Sequence, residues 1–215
     1  LFLKVSYGVT RKLIVASTAA AAGGGLGGGL GGGDGGGGGD GGDGGGKGGG
    51  LGGGSTDAAT ALRWAGYPVD AASLAQAADL GADISFCLIG GRARVTGIGE
   101  VIEPLPHIDQ AVTLIIPPLA VSTPAAYRAW DDLGGPTVDG PNDLEPAALA
   151  VEPQLARWRD AIAERTGTAP TLAGSGATWF TEGKHSNALI DLVDKGAAIV
   201  VAHVVPSDVA TNQAH

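Results

Sequence analysis

Cysteine and basic residues are both scarce in this chain, and each scarcity excludes a class of protein. The single cysteine, Cys87, lies in the apolar run 84–89, so no disulfide framework or cysteine metal cluster can form. We expect a buried, unreactive thiol there, as in a reducing compartment. The chain has 13 Lys and Arg against 22 Asp and Glu, for a net charge of −9. Because binding to a nucleic-acid backbone needs clustered Lys and Arg, we expect no nucleic-acid partner.

The longest apolar run before the glycine-rich part of the chain, residues 13–22, is too short to cross a bilayer. The run 13–22 has about ten residues, whereas a spanning helix needs about 20. It follows Arg11 and Lys12 and ends in small residues, which resembles a short secretory signal. The basic pair, however, lies behind the apolar residues 1–3. We therefore expect a cytoplasmic protein with no membrane partner.

Glycine, in contrast, is very abundant in one part of the chain. Between positions 23 and 54, 25 of 32 residues are glycine. Glycine loses the most backbone freedom on folding and buries no side chain, so this segment cannot build a core. A low-complexity tract of this kind is typical of a flexible linker. The part that can form a core begins near Ser55.

The pattern after this tract predicts strands interleaved with helices, and therefore an α/β or α+β fold in two lobes that meet near residue 110. Before the tract, residues 1–6 are expected as a strand, and residues 13–22 fit either a strand or a helix. After the tract, the segments expected as strands are 84–89, 93–95, 112–116, 177–180 and 197–205. The segments expected as helices are 58–65, 70–80, 123–130, 143–149, 153–164 and 185–194.

The end of the glycine tract is a candidate anion site. Residues 48–56 run directly into an alanine-rich helix former, for which Ser55, Thr56 or Asp57 can supply the N-cap. Glycine backbone N–H groups at a helix N-terminus form a cradle for phosphate. The spacing is not that of a Walker loop, because no lysine follows Gly54. A flexible linker is the alternative interpretation.

Two further features have both a chemical and a plain interpretation. Asp83 begins an apolar run, where it could accept a proton from a hydroxyl group that attacks phosphorus, or serve only as a turn residue after a helix. Gly174, Ser175 and Gly176 precede a predicted strand. They could form a second wall of a phosphate pocket, or only a tight turn.

Taken together, these features follow one another in an order that is found in one known family. The segments GGGLGGGSTDAATAL, LGADISF, GGRARVTGIGE, TPAAY, NDLEP and LAGSGAT follow one another along the chain. In this order the chain resembles the 4-diphosphocytidyl-2-C-methyl-D-erythritol kinases of the GHMP kinase superfamily, from about Lys47 to Phe180. The resemblance implies an α+β fold with an N-terminal lobe like ribosomal protein S5 domain 2 and a ferredoxin-like C-terminal lobe. The lobes would occupy 48–110 and 111–215, after a residual strand region (1–22) and a glycine tract (23–47).

The resemblance also implies an activity and its residues. The family transfers the γ-phosphoryl group of ATP to the 2-hydroxyl of its cytidyl-linked substrate, in non-mevalonate isoprenoid synthesis. Asp83 falls on the catalytic aspartate, and Tyr127 falls on an aromatic that stacks on cytosine, with a core tyrosine as the alternative. The expected ATP-binding residues are Gly48, Gly49, Gly50, Leu51, Gly52, Gly53, Gly54, Ser55, Thr56, Gly174, Ser175 and Gly176. Mg²⁺ is expected with ATP, although no dedicated ligand cluster stands out, and the protein is expected to be a monomer or a homodimer.

The front of the chain departs from the family pattern. A Lys-(Leu/Ile)-Asn entry to the first strand would precede Leu1, and 6–13 lacks the Asp-Gly-Tyr-His segment that contacts substrate. The family needs about 70 residues of strands before the loop, where this chain has about 33, and a sheet without those strands exposes its edges. We therefore expect a truncated or corrupted N-terminal lobe. An impaired relic that at most binds nucleotide is the alternative function.

Overall fold

The computed structural model describes residues 2–7, 11–16, 51–97, 99–135 and 141–207. Within these ranges the strands form two four-stranded sheets, ordered β1-β2-β3-β4 and β6-β7-β5-β8. The strands are β1 Phe2–Tyr7, β2 Arg11–Ala16, β3 Arg92–Thr96, β4 Val101–Leu105, β5 Ala111–Ile116, β6 Thr171–Leu172, β7 Trp179–Glu182 and β8 Ala198–His203. The helices are α1 Gly53–Trp64, α2 Ala71–Leu80, α3 Ile84–Ile89, α4 Thr123–Asp132, α5 Glu145–Val151 and α6 Leu155–Thr166, with a 3₁₀ turn at Ile190–Leu192.

The first sheet joins the two strands at the front of the chain to two strands that follow the glycine tract. All neighbours are antiparallel, with Val5 opposite Leu13, Lys12 opposite Val95 and Val95 opposite Ile102. Residues 13–22, which the sequence left undecided, therefore begin with a strand, because β2 pairs on both of its edges. The glycine tract itself, 23–47, lies outside the described residues. The sequence did not predict β4, whose Pro104 is tolerated because β4 is an edge strand of this sheet.

The run 84–89 is a helix, so the prediction of a strand there is wrong. Apart from Ser85 the run is apolar, and it is buried between α1 and α2 on one side and the first sheet on the other. Periodicity cannot distinguish a fully buried short helix from a buried strand. The elements that enclose the run decide the outcome, and the hydroxyl of Ser85 fixes the helix to α2 by donating to the carbonyl of Leu74 at 2.6 Å.

The second sheet carries helices α4, α5 and α6 and the larger core. The buried strand expected at 112–116 is confirmed as β5, which pairs with β7 and β8. The strand expected at 177–180 begins two residues later, as β7. Trp179, Leu155, Ile162, Leu172 and Leu189 are fully buried on one face of this sheet.

The helix expected at 185–194 is also wrong, because only Ile190–Leu192 forms a 3₁₀ turn. The backbone N–H of His185 donates to the hydroxyl of Thr113 on β5, at 2.9 Å, which ties the start of the segment to the sheet. The carboxylate of Asp191 is bound to the guanidinium of Arg165 on α6, with Nε–Oδ1 at 2.8 Å and Nη2–Oδ2 at 2.7 Å. These contacts hold the segment as turns against the core.

We expect Asp191→Asn to destabilise the fold in a pH-dependent manner. The hydrogen-bonded guanidinium of Arg165 lowers the pKa of Asp191. A carboxyl whose pKa is lowered by folding stabilises the protein above its unfolded-state pKa of about 4, and this contribution is lost as the pH falls through the folded-state value. The urea midpoint of the variant should lie below that of wild type at neutral pH and converge with it in acid. Asp194→Asn, an exposed position nearby, is the control, and a deficit that is unchanged in acid would contradict the prediction.

Candidate active site

The glycine loop enters α1 earlier than the sequence predicted. Gly52 is the N-cap, in the left-handed region with φ 59° and ψ 33°, and α1 begins at Gly53. Ser55, Thr56 and Asp57 therefore lie inside the helix, and the prediction that one of them caps it is wrong. A left-handed residue costs glycine little, so the chain turns into the helix before it reaches a side chain suited to capping.

Early entry leaves the positive end of α1 open to an anion. No described side chain caps this helix, because its N-cap residue is a glycine, and the hydroxyl of Thr56 donates to the carbonyl of Gly52 at 3.0 Å. The first N–H bonded within the helix is that of Thr56, also to the carbonyl of Gly52. The N–H groups of Gly53, Gly54 and Ser55 therefore stand at the N-terminus of a twelve-residue helix. Such groups bind phosphate readily.

The loop is anchored on the second sheet. Leu51 is 8% exposed and belongs to one apolar cluster with Val112, Leu114, Ala173 and Ala202. Ala173 immediately precedes Gly174, so the cluster brings the start of α1 beside the other glycine motif. The remaining predicted loop residues, Gly48, Gly49 and Gly50, lie outside the described residues.

Gly174, Ser175 and Gly176 form a tight turn between β6 and β7. The N–H of Ala173 donates to the carbonyl of Thr178 at 2.8 Å, and that of Gly176 donates to the carbonyl of Ala173 at 3.0 Å. Gly174 and Gly176 both have positive φ, at 56° and 94°. The tight turn is therefore confirmed. It also adjoins Leu51, which anchors the first glycine loop.

The buried side chain of Asn142 fastens this turn to the segment before α5. Its Nδ2 donates to the carbonyls of Leu172 and Gly174, at 2.8 and 2.7 Å. Its Oδ1 accepts from the N–H of Leu144 at 3.0 Å. The side chain is 1% exposed, so all three contacts are made away from solvent.

Asp83 lies in the turn between α2 and α3, as the residue before α3. Its carbonyl accepts from the N–H of Cys87 at 3.1 Å, and the thiol of Cys87 lies 3.9 Å from the hydroxyl of Thr56. Asp83 therefore lies one helical turn before Cys87, and Cys87 contacts the first turn of α1. Arg63 strengthens this helix pair, since its guanidinium donates to the carbonyls of Cys87 and Leu88, at 2.8 Å each.

Tyr127 is exposed on α4, so the alternative of a core tyrosine is wrong. Its side chain is 42% exposed. It lies one turn after Thr123, and residues four apart share a helix face. The hydroxyl of Thr123 is 2.9 Å from that of Ser175, so this face of α4 begins at the second glycine motif.

The described part of the chain contains no helix long and apolar enough to cross a membrane. No group of three His, Cys, Asp or Glu residues among the described positions could hold a metal ion.

Comparison with known proteins identifies relatives of this chain. No family model matches the chain. It is 38% identical over 122 residues to the 4-diphosphocytidyl-2-C-methyl-D-erythritol kinase of Cereibacter sphaeroides, covering 47% of this chain and 44% of that protein. The enzyme of the same name from Rhizobium meliloti is 39% identical over 150 residues, with 59% and 50% covered.

A solved structure extends the match. The crystal structure of 4-(cytidine 5'-diphospho)-2C-methyl-D-erythritol kinase matches at 30% identity with a TM-score of 0.55, over 73% of this chain and 67% of that one. The chain belongs to the 4-diphosphocytidyl-2-C-methyl-D-erythritol kinase family. The α+β GHMP kinase fold expected from the sequence is confirmed, while the lobe boundaries stay a prediction. The chain spans about half the length of the curated relatives it matches.

For this member of the kinase family, sequence reasoning missed several residues that shape the site. Arg63 and Asn142 bind carbonyls that lie 24 to 32 positions away, which no local pattern reveals. For Asn142, a signal was available, because an asparagine between Pro141 and a helix is a common turn residue. That signal locates the turn but not its partners. Thr123 gave a weaker signal, as part of the segment TPAAY.

The thiol of this kinase family member should resist alkylation at neutral pH. Cys87 is half-buried, and this partial burial raises the pKa of its thiol to about 11, although the hydrogen bond with Thr56 acts in the opposite direction. Since only the thiolate is nucleophilic, we expect iodoacetamide to react about a hundredfold more slowly than with the urea-unfolded chain. Mass spectrometry reports this site alone, because the chain has one cysteine. Equal rates in the folded and unfolded states would contradict both the burial and the raised pKa.

Proposed function

We propose that this chain transfers the γ-phosphoryl group of ATP to the 2-hydroxyl of 4-diphosphocytidyl-2-C-methyl-D-erythritol, in the cytoplasm, as a step of non-mevalonate isoprenoid synthesis. One observation carries the proposal. The apolar cluster of Leu51 and Ala173 joins two glycine motifs beside the uncapped N-terminus of α1. Backbone N–H groups converging from two loops are suited to the phosphates of a nucleotide.

In this proposal the loop 48–56 and the turn Gly174-Ser175-Gly176 cradle the phosphates from two sides. The chain has a net charge of −9, so attraction for an anionic nucleotide must come from local N–H groups and the helix dipole rather than from the overall field. Phosphoryl transfer needs mainly positioning and charge stabilisation, both of which a rigid backbone cradle supplies.

Asp83 is the proposed group that orients the acceptor hydroxyl and takes its proton. Its position before α3, a helix held to α1 by Arg63, places a carboxylate on the same helix pair as the phosphate loop. Tyr127 is the proposed stacking partner of cytosine, since its exposed ring follows Thr123 along α4. An aromatic face of this kind stacks favourably on a base.

The described residues do not fit a dedicated magnesium cage. They contain no group of three His, Cys, Asp or Glu side chains that could hold a metal ion, and the hydroxyl of Thr56 already donates to the carbonyl of Gly52. Mg²⁺ usually keeps several waters and binds through substrate phosphates. The proposal therefore has the ion arrive with ATP.

The deciding experiment measures ADP release by the purified chain with ATP and the cytidyl substrate. Phosphorus NMR of the product identifies the phosphorylated hydroxyl. Homoserine and mevalonate serve as control acceptors, since related GHMP kinases act on them. ADP release that is the same with and without the cytidyl substrate overturns the proposal. Nucleotide binding without any turnover would instead support a protein that only binds nucleotide.

A further inference from the structure

The contacts of Asn142 determine the direction of a peptide group in the second glycine motif. The amide Nδ2 lies 2.7 Å from the carbonyl oxygen of Gly174 and 2.8 Å from that of Leu172. Both amide protons of Asn142 can therefore be used, one for each carbonyl. With Oδ1 bound to the N–H of Leu144, the side chain is engaged at every polar position.

The peptide plane transmits this contact to the next residue. The carbonyl of Gly174 and the N–H of Ser175 belong to one planar trans unit, so they point in opposite directions. Holding the carbonyl toward Asn142 directs the N–H of Ser175 away from it. The turn's own hydrogen bond runs from the N–H of Gly176 to the carbonyl of Ala173 and does not use this peptide, and glycine at position 174 permits more than one direction for it.

The turn is tied at a second point, on its other side. The hydroxyls of Ser175 and Thr123 lie 2.9 Å apart, which links the turn to α4. Ser175 is only 6% exposed, so its side chain is enclosed, while Asn142 orients the peptide that joins it to Gly174.

We propose that Asn142 is a positioning residue that presents the N–H of Ser175 to the phosphates of ATP. The inference rests on the proposed function, in which the turn forms one wall of the nucleotide site. Asn142 itself touches no substrate in this scheme and acts through the turn.

Asn142→Asp is the sharpest test, because it keeps the shape of the side chain and the acceptor for Leu144. It places an oxygen where Nδ2 now faces two carbonyl oxygens, which repel it. We expect the KM for ATP to rise about tenfold or more, while the KM for the cytidyl substrate changes less than about threefold. Ile162→Ala, a core truncation on α6, controls for general destabilisation.

A pH series adds a signature that a merely structural role would not produce. Protonation of the introduced carboxyl restores one hydrogen-bond donor, and burial favours the protonated form. The ratio of the variant KM for ATP to the wild-type value should therefore fall as the pH is lowered from about 8 to about 6. The inference is overturned if Ile162→Ala raises the KM for ATP as much as Asn142→Asp does. It is also overturned if the ratio of the two KM values does not change with pH.

Hydrogen exchange and nucleotide titration separate this inference from the proposed function. If wild type releases no ADP, the proposed function fails, and the inference is decided by the affinity for a non-hydrolysable ATP analogue. We expect Asn142→Asp to weaken that affinity about tenfold and to speed amide exchange in 173–177. Unchanged affinity or unchanged exchange overturns the inference, as does a wild-type protein that binds no analogue.

Discussion

Asp83→Asn should reduce the rate of phosphoryl transfer by about a thousandfold, because general-base assistance by one positioned side chain contributes about two to four orders of magnitude. Asparagine has nearly the same shape as aspartate and can still accept a hydrogen bond, but it cannot take the proton of the acceptor hydroxyl. The loss should therefore appear in kcat, with smaller changes in either KM.

The measurement is steady-state ADP release at saturating ATP and cytidyl substrate, together with thermal unfolding. Asp79→Asn, on the exposed face of α2, is the matched control and should retain wild-type kcat. Equal rates for wild type and Asp83→Asn would contradict the role assigned to Asp83. A loss of kcat that merely follows a lower unfolding temperature would show that the residue is structural.

Gly99→Ala should both destabilise the fold and displace the turn that carries Asp83. A Cβ at Gly99 would overlap the carbonyl oxygen of Ala82, and it would lie 3.0 Å from the Cα of Ala82. Both contacts are with backbone, so a side-chain rotation cannot relieve them. Gly99 also has φ 136°, which favours glycine. We expect a loss of about 3 kcal/mol in the free energy of unfolding, from overpacking and backbone strain together.

Gly66→Ala isolates the conformational part of this effect. Gly66 has φ 75°, but a Cβ there meets open space. It should cost only about 1 kcal/mol, the usual penalty for a left-handed non-glycine residue. Urea unfolding measures both variants, and kcat is then compared under conditions where each remains folded. If Gly99→Ala is no worse than Gly66→Ala, or retains full kcat, the proposed contact between the β3–β4 turn and the Asp83 turn is wrong.

The local sequence was sufficient where one segment determines its own structure. The alanine-rich segment after the glycine loop forms α1, and the apolar run at 112–116 forms β5. The order of the short motifs indicated the family, because such motifs are contiguous in the chain. The end of the helix expected at 58–65 is also close to the observed one, because Gly66 takes a left-handed conformation directly after the C-cap Ala65.

Tertiary structure was needed wherever a partner lies far along the chain. The run 84–89 became a helix because α1, α2 and the first sheet enclose it, and the segment 185–194 became turns because Thr113 and Arg165 hold it. No local pattern places Leu51 beside Ala173 or turns the amide of Asn142 toward Gly174. The sequence by itself determined which motifs are present and in which order. Only packing between distant segments decided that the two glycine motifs lie side by side, since that proximity depends on contacts between residues more than a hundred positions apart.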